Sequence, residues 1–365
     1  MFKARKIDGG VSLLLDGLRL SAALVVLLWH AKDMWFPAGS HSAELPGNPS
    51  HAAVVVFFVL SGFVIAFTAT AKHRTLSEYF EARLGRLCSM VIPALILTAV
   101  VELAVRASGD ADLISTYVRG TFGPRYLITG SFMNELWFFS AAPPANIALW
   151  SLSFEFWYYV IFGVWFCTGR GWKSWAFALV ACVIAGPKIV AMMPIWLMGC
   201  AAYWLPRPRL GRGASSIAVL LALSAAVVAI LAIPPLPKPI GEAPLYFANQ
   251  FLTDWAAGIF VALALWLTPS WSTEVARPIS PELVSRVRRL ADLTFPIYVL
   301  HFPLLVLWRT LFGTRLNDVG HYSVAVFTVL LISSALGVIL ERKRSLWTIQ
   351  FRRFLASIQR RPRAV

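Results

Sequence analysis

The sequence predicts an all-α fold, a polytopic membrane bundle of about ten transmembrane helices. Three observations carry this. Of 365 residues, 58% are hydrophobic and 14% charged, and the mean hydropathy is +0.68. Apolar stretches near 20 residues, the length at which a helix crosses a hydrocarbon core, recur along the chain. Lysines and arginines collect in alternate connecting segments. The formal charge of +15 would otherwise raise nucleic acid as a partner. Its placement beside apolar runs points to membrane orientation instead, and no nucleic-acid partner is expected.

The expected spans are residues 11–31, 52–71, 87–105, 147–167, 172–187, 189–205, 215–233, 247–268, 292–311 and 321–340. The first follows Lys3, Arg5 and Lys6, carries Asp16 and Arg19, and lacks a small-residue cleavage pattern. It reads as an uncleaved span. The fifth and sixth are short and share a turn at Pro187-Lys188. Residues 126–142 are apolar but contain Asn134 and Glu135 and run into Pro143-Pro144. They read as a re-entrant or interfacial piece of a long outer loop, residues 106–146, because a span there would reverse everything after it. With both ends cytoplasmic, 24 of the 33 basic residues lie inside and 8 outside, with Arg19 in the first span. This is the positive-inside pattern. The chain divides into a transmembrane domain, 1–345, and a basic cytoplasmic tail, 346–365. Trp347, Phe351 and Phe354 would lay a tail helix on the membrane surface. Cys88, Cys167, Cys182 and Cys200 lie in or beside apolar runs without metal-ligand spacing, so neither a disulfide framework nor a metal site is expected.

Ionisable groups inside spans are expensive and mark functional sites. Arg19 and His30 are eleven residues apart, close to a whole number of turns, so they share one face about 16 Å apart. Arg19 could also simply pair with Asp16, one turn away. Phe57 to Phe63 carries Ser61-Gly62, a small pair that suits close helix packing. A nucleophilic role for Ser61 lacks the Gly-x-Ser-x-Gly elbow. Arg83 and Arg86, one turn apart, suit phosphate recognition or ordinary anchoring at the inner surface. Ser151 and Glu155 share a face at i, i+4, and a carboxylate there needs an arginine or histidine partner. Thr294, Tyr298 and His301 form one polar stripe. Convergence of such groups from three spans indicates a site or a pathway.

These segments together resemble the acyltransferase family 3 membrane proteins, bacterial enzymes that O-acylate carbohydrates. The resemblance covers almost the whole chain. Arg19 and His30 are similar to the family's Arg-x10-His signature. Phe57 to Phe63 resembles its Phe-Phe-Val-Leu-Ser-Gly-Phe block, and Arg83 with Arg86 its Arg-x-x-Arg. Trp150 to Glu155 resembles Trp-Ser-Leu-Ser-Val-Glu, and Ile297 to Pro303 resembles Ile-Tyr-Leu-Leu-His-x-Pro. Ala53 and Val55 depart from the usual glycine and polar residue before Phe57, and Pro296 from a less restrictive residue. The stand-alone type, without an appended SGNH esterase domain, is the one resembled.

The resemblance implies acyl-CoA, expected to be acetyl-CoA, as a cytoplasmic donor substrate and no permanently bound cofactor. It implies a carbohydrate or glycolipid acceptor and location in the bacterial inner membrane. Arg83, Arg86 and Arg19 would hold the donor phosphates, with the pantetheine arm passing Ala23 on the first span. His30 would be the general base and Glu155 would orient an imidazole. His301 and Tyr298 would position the acyl carbonyl, and Ser61 and Ser151 the substrate. A transporter or flippase for an anionic or glycolipid substrate would use the same intramembrane charges, but repeated halves with broken helices are not evident.

Overall fold

The computed structural model describes residues 7, 9–37, 47–72, 75–169, 171–268 and 280–359. The basic residues Lys3, Arg5, Lys6, Arg74, Arg170, Arg277, Arg360, Arg361 and Arg363 lie outside the described residues, as do the side chains of Lys72 and Phe354. Among the described residues the chain is helical and has no strand. The helices are α1 (Gly9–Trp35), α2 (Pro49–Lys72), α3 (Leu76–Ser108), α4 (Ala111–Tyr117), α5 (Phe122–Gly130), α6 (Trp150–Cys167) and α7 (Trp172–Ala185). They continue with α8 (Pro187–Trp204), α9 (Arg212–Ala232), α10 (Phe251–Leu267), α11 (Pro281–Ala291), α12 (Thr294–Phe312) and α13 (Val319–Gln359).

Every expected span coincides with a helix. Seven segments, built on α1, α2, α3, α6, α9, α12 and α13, are long and apolar enough to cross a membrane. The others are the short α7 and α10, of 14 and 17 residues, and α8, of 18. Large apolar side chains stay exposed on α7 (Leu179, Val183), α9 (Leu220, Val228) and α13 (Phe327, Leu331). Such faces are tolerable only in lipid.

Small residues set the tightest crossing. A Cβ on Gly62 of α2 would fall 1.9 Å from the Trp196 carbonyl oxygen of α8. A Cβ on Gly199 of α8 would fall 2.0 Å from the Val59 carbonyl oxygen. The two backbones therefore touch, as small residues allow in membrane bundles. Cys200 Sγ adds a bond to the Gly62 carbonyl at 3.2 Å. Pro296 sits in the first turn of α12, where its missing N–H has no helical partner to lose. Its ring packs against Gly337 of α13.

Residues 126–142 do not cross. α5 ends at Gly130 and a run of turns follows, with Trp137, Phe138 and Phe139 exposed. The loop is fastened to the α7–α8 corner. Trp137 N–H donates to the Ala185 carbonyl at 3.2 Å. Gly186 turns the corner at φ +85°, and Trp137 backbone atoms lie 2.6–2.7 Å from where its Cβ would be. Lys188 Nζ reaches Glu135 Oε2 at 2.5 Å and the Phe139 carbonyl at 2.6 Å, and both charged side chains are fully buried. Removing one partner of a buried pair strands the other charge. Glu135→Leu should therefore cost about 3 kcal/mol of stability, and adding Lys188→Met should recover most of it. Unfolding of the purified single and double variants in detergent checks this, and additive losses would show that the pair is not coupled.

α13 runs unbroken past residue 345, where a separate tail was expected to begin. Its last turns lie on α3. Thr348 meets Gly85, Arg352 Nε is 3.1 Å from Glu81 Oε2, and Trp347 and Phe351 pack against the main core. Trp347 and Phe351 of this basic segment thus face protein, while Leu346 and Ile349 stay exposed.

Candidate active site

α1 and α12 bring two imidazoles together. His30 Nδ1 lies 2.9 Å from His301 Nε2, and the rings are parallel within 6°. The partners of His301 decide which nitrogen carries hydrogen. His301 Nδ1 is 2.7 Å from the Tyr298 carbonyl and 3.1 Å from the Ile297 carbonyl. Carbonyls only accept, so Nδ1 is protonated and Nε2 of the neutral ring is an acceptor. His30 must then donate from Nδ1. Its Nε2 is left as a lone pair with no hydrogen-bond partner among the described residues. A basic nitrogen held in this way has the geometry of a general base oriented from behind.

Pro303 ties this part of α12 to the segment before α6. A proline at that point removes the N–H that the Val299 carbonyl would accept within α12. Asn146 fills the vacancy, donating from Nδ2 to the Val299 carbonyl at 3.0 Å and to Thr98 Oγ1 at 3.1 Å. The turn Pro144–Leu149 is thereby locked against α12. Its Ala148 carbonyl accepts from Tyr298 OH at 2.9 Å, and Ser151 Oγ meets the same hydroxyl at 2.7 Å.

Two cavities flank this arrangement. One, of about 690 Å³, is lined by Arg19, Arg83, Arg86, Glu155, Ser61, Ser151 and Tyr298 among others. Three guanidiniums against one carboxylate suit an anionic ligand. Arg19 also keeps a contact to Asp16 at 3.6 Å, so it pairs locally and lines the cavity at once. Arg83 donates to Thr68 Oγ1 at 2.7 Å and sits beside the Tyr79 and Tyr159 rings. Arg86 lies over Phe295. The other cavity, of about 510 Å³, is lined by His30, Asp33, Ser50, His51, Ala148 and Trp150 among others. Val54 and Tyr298 line both, so they form the wall between the two.

The expected site residues thus gather, but two of the expected contacts differ. Glu155 does not meet an imidazole. It accepts from Ser61 Oγ at 2.8 Å and from Tyr159 OH, and Ser61 in turn accepts from Trp196 Nε1 at 3.2 Å. The carboxylate belongs to the basic chamber, one helical turn from Tyr159. His301 and Tyr298 are bonded within the protein, through both His301 nitrogens and the Tyr298 hydroxyl, while Tyr298 also lines both cavities. They hold His30 and the wall. Ala23 is buried and lines neither cavity, so the space between the ends of α1 runs past α2, α6 and α12 instead. One pair escaped notice in the sequence: His51 Nε2 and Asp254 Oδ2, 2.9 Å apart and both buried. Asp254 is the only acid in the eighth span, which was the available signal. His51 stands one residue before the second span.

A sequence profile of an acyltransferase domain matches residues 13–339 of the chain. The chain belongs to this acyltransferase family. The acyltransferase is 25% identical over 340 residues to "Acyltransferase MdmB" of Streptomyces mycarofaciens, covering 85% of this chain and 83% of that protein. No solved structure matches. Membership makes acyl transfer, rather than transport, the activity of the acyltransferase.

Proposed function

We propose that the acyltransferase takes an acyl group, acetyl in the simplest case, from acyl-CoA on the cytoplasmic side. It passes the group to a hydroxyl of a carbohydrate or glycolipid at the opposite face of the bacterial inner membrane. The observation that carries this reading is the pair of chambers with a shared wall. The basic chamber meets the needs of CoA phosphates, and His30 faces the other. The excess of basic residues at the Arg83 end supports placing that end, and both termini, in the cytoplasm.

His30 Nε2 removes the proton of the acceptor O–H as the oxygen attacks the thioester carbonyl. A C–O bond forms, the tetrahedral centre collapses and the C–S bond breaks. The His30 imidazolium then returns its proton to the CoA thiolate. His301 accepts from His30 Nδ1 throughout and keeps Nε2 turned to the substrate. Because one imidazole carries the single proton from the acceptor hydroxyl to the leaving thiolate, no covalent acyl-enzyme is needed.

Membranes containing the protein should incorporate label from acetyl-CoA covalently into a glycan, and mass spectrometry of surface glycans with and without the gene should show the added acyl mass. Uptake or flipping without covalent label would overturn the reading.

A further inference from the structure

The His51–Asp254 pair joins α2 to α10, and His51 lines the chamber that also holds His30. The side chains are 2% and 3% exposed. Asp254 Oδ2 accepts from His51 Nε2 at 2.9 Å, and Asp254 Oδ1 accepts from Gln250 Nε2 at 3.0 Å. A carboxylate held by these two donors fixes the hydrogen of the neutral imidazole on Nε2. The ring is also fixed in orientation. It stacks on Trp150 at 5.5 Å within 7°, and Trp150 stacks on Phe247 at 4.5 Å within 7°. The His51 backbone N–H is tied to the Asn48 cap at 3.2 Å.

In the neutral ring, Nδ1 of His51 is therefore an oriented acceptor. It is buried and has no hydrogen-bond partner among the described residues. Native proteins rarely leave such an atom unsatisfied, because the desolvation penalty is then uncompensated. A ring that lines a chamber and lacks a protein donor is suited to a donor carried by the ligand. Any polyhydroxylated acceptor brings more than one O–H. One loses its proton to His30 Nε2, and a neighbouring one can donate to the second imidazole.

We propose that His51 Nδ1, with its tautomer held by Asp254, binds a non-reacting hydroxyl of the acceptor and so selects polyols over simple alcohols. This rests on the acyl-transfer reading above. No bond to His51 forms or breaks, and the transferred proton stays with His30.

The test uses the full chain in lipid vesicles with labelled acetyl-CoA and two probe acceptors, methyl α-D-glucopyranoside and 1-propanol. His51→Ala should lower the glucoside-to-propanol ratio of kcat/KM about 10-fold, through the glucoside KM, with the acetyl-CoA KM unmoved. Asp254→Asn, which preserves volume but frees the tautomer, should lower the ratio in the same direction and guards against a folding defect in the alanine variant. His51→Asn, whose amide oxygen can accept the same bond, should restore part of the ratio. A ratio within twofold of wild type in both His51→Ala and Asp254→Asn overturns this inference alone and leaves Nδ1 to a buried water. A wild-type enzyme that labels neither probe overturns the donor reading and this inference with it.

Discussion

Replacing His30 with alanine should lower acyl transfer about 10³-fold, within the range that general bases contribute, while the protein remains in the membrane. The reason lies in the direction of the hydrogen bonds. His301 gives its Nδ1 hydrogen to the Tyr298 carbonyl, so His30 must give its own Nδ1 hydrogen to His301. Within this pair of imidazoles, His30 Nε2 is the nitrogen left without a partner among the described residues and able to take a substrate proton. His301→Ala should be milder, about 10²-fold, because the base survives but loses its fixed tautomer. His301→Gln should lie between His301→Ala and wild type, since its amide oxygen can still accept from His30 Nδ1. The measurement is initial rate from labelled acetyl-CoA, with membrane content of each variant checked by immunoblot. Normal transfer by His30→Ala would remove this residue from the chemistry. Equal losses for His301→Ala and His301→Gln would show that His301 does more than accept a hydrogen bond.

What could be read from the sequence divides by the range of the interaction. Span positions and the alternating charge bias depend on local apolar length and on Lys and Arg placement, so the ten helices were legible. Arg83 and Arg86, one turn apart, were legible as a pair for the same reason. The meeting of His30 with His301 spans 271 residues; ionisable groups on three spans and the match of several blocks suggested that they converge, but not that the two rings touch. Glu155 shows where local reasoning fails. A carboxylate in a span requires a donor, but spacing does not say whether that donor is an imidazole, a guanidinium or a hydroxyl. The packing of α2 on α6 settles it with Ser61, and Tyr159, four residues on, could have been named from helix periodicity. His51 and Asp254 were passed over because their partnership, across 203 residues, depends on how α2 and α10 are placed. A helix beyond residue 345 was legible, but its continuity with α13 and its docking on α3 were not. The polar composition reads as a tail, yet one face carries Trp347, Thr348 and Phe351 onto the core and α3.

Loss of the guanidinium at Arg86 should raise the KM for acetyl-CoA by about 10- to 100-fold, the effect of one charge-assisted hydrogen bond, with a much smaller change in kcat. Arg86 is the best single probe among the three arginines of the basic chamber. Arg83 is also tied to Thr68, and its removal would disturb the packing of Tyr79 and Tyr159. Arg19 is also tied to Asp16, so Arg19→Ala leaves a buried carboxylate with Ser12 but without its arginine near the same chamber and adds a repulsion to the loss. Arg19→Ala should therefore raise the donor KM more than Arg86→Ala does, and Asp16→Asn in the same chain should return part of the difference. The chemistry of the ligand supplies a second control. If these guanidiniums hold phosphate, wild-type enzyme should prefer acetyl-CoA over 3′-dephospho-acetyl-CoA, or over acetyl-pantetheine, and the preference should weaken as salt rises. Arg86→Ala should narrow the preference for whichever phosphate it contacts, and Arg86→Lys should restore charge but not the bidentate fork. An unchanged donor KM in both Arg19→Ala and Arg86→Ala would move the donor out of this chamber, and would leave the three arginines as the anchors that their place at the positively biased end already makes them.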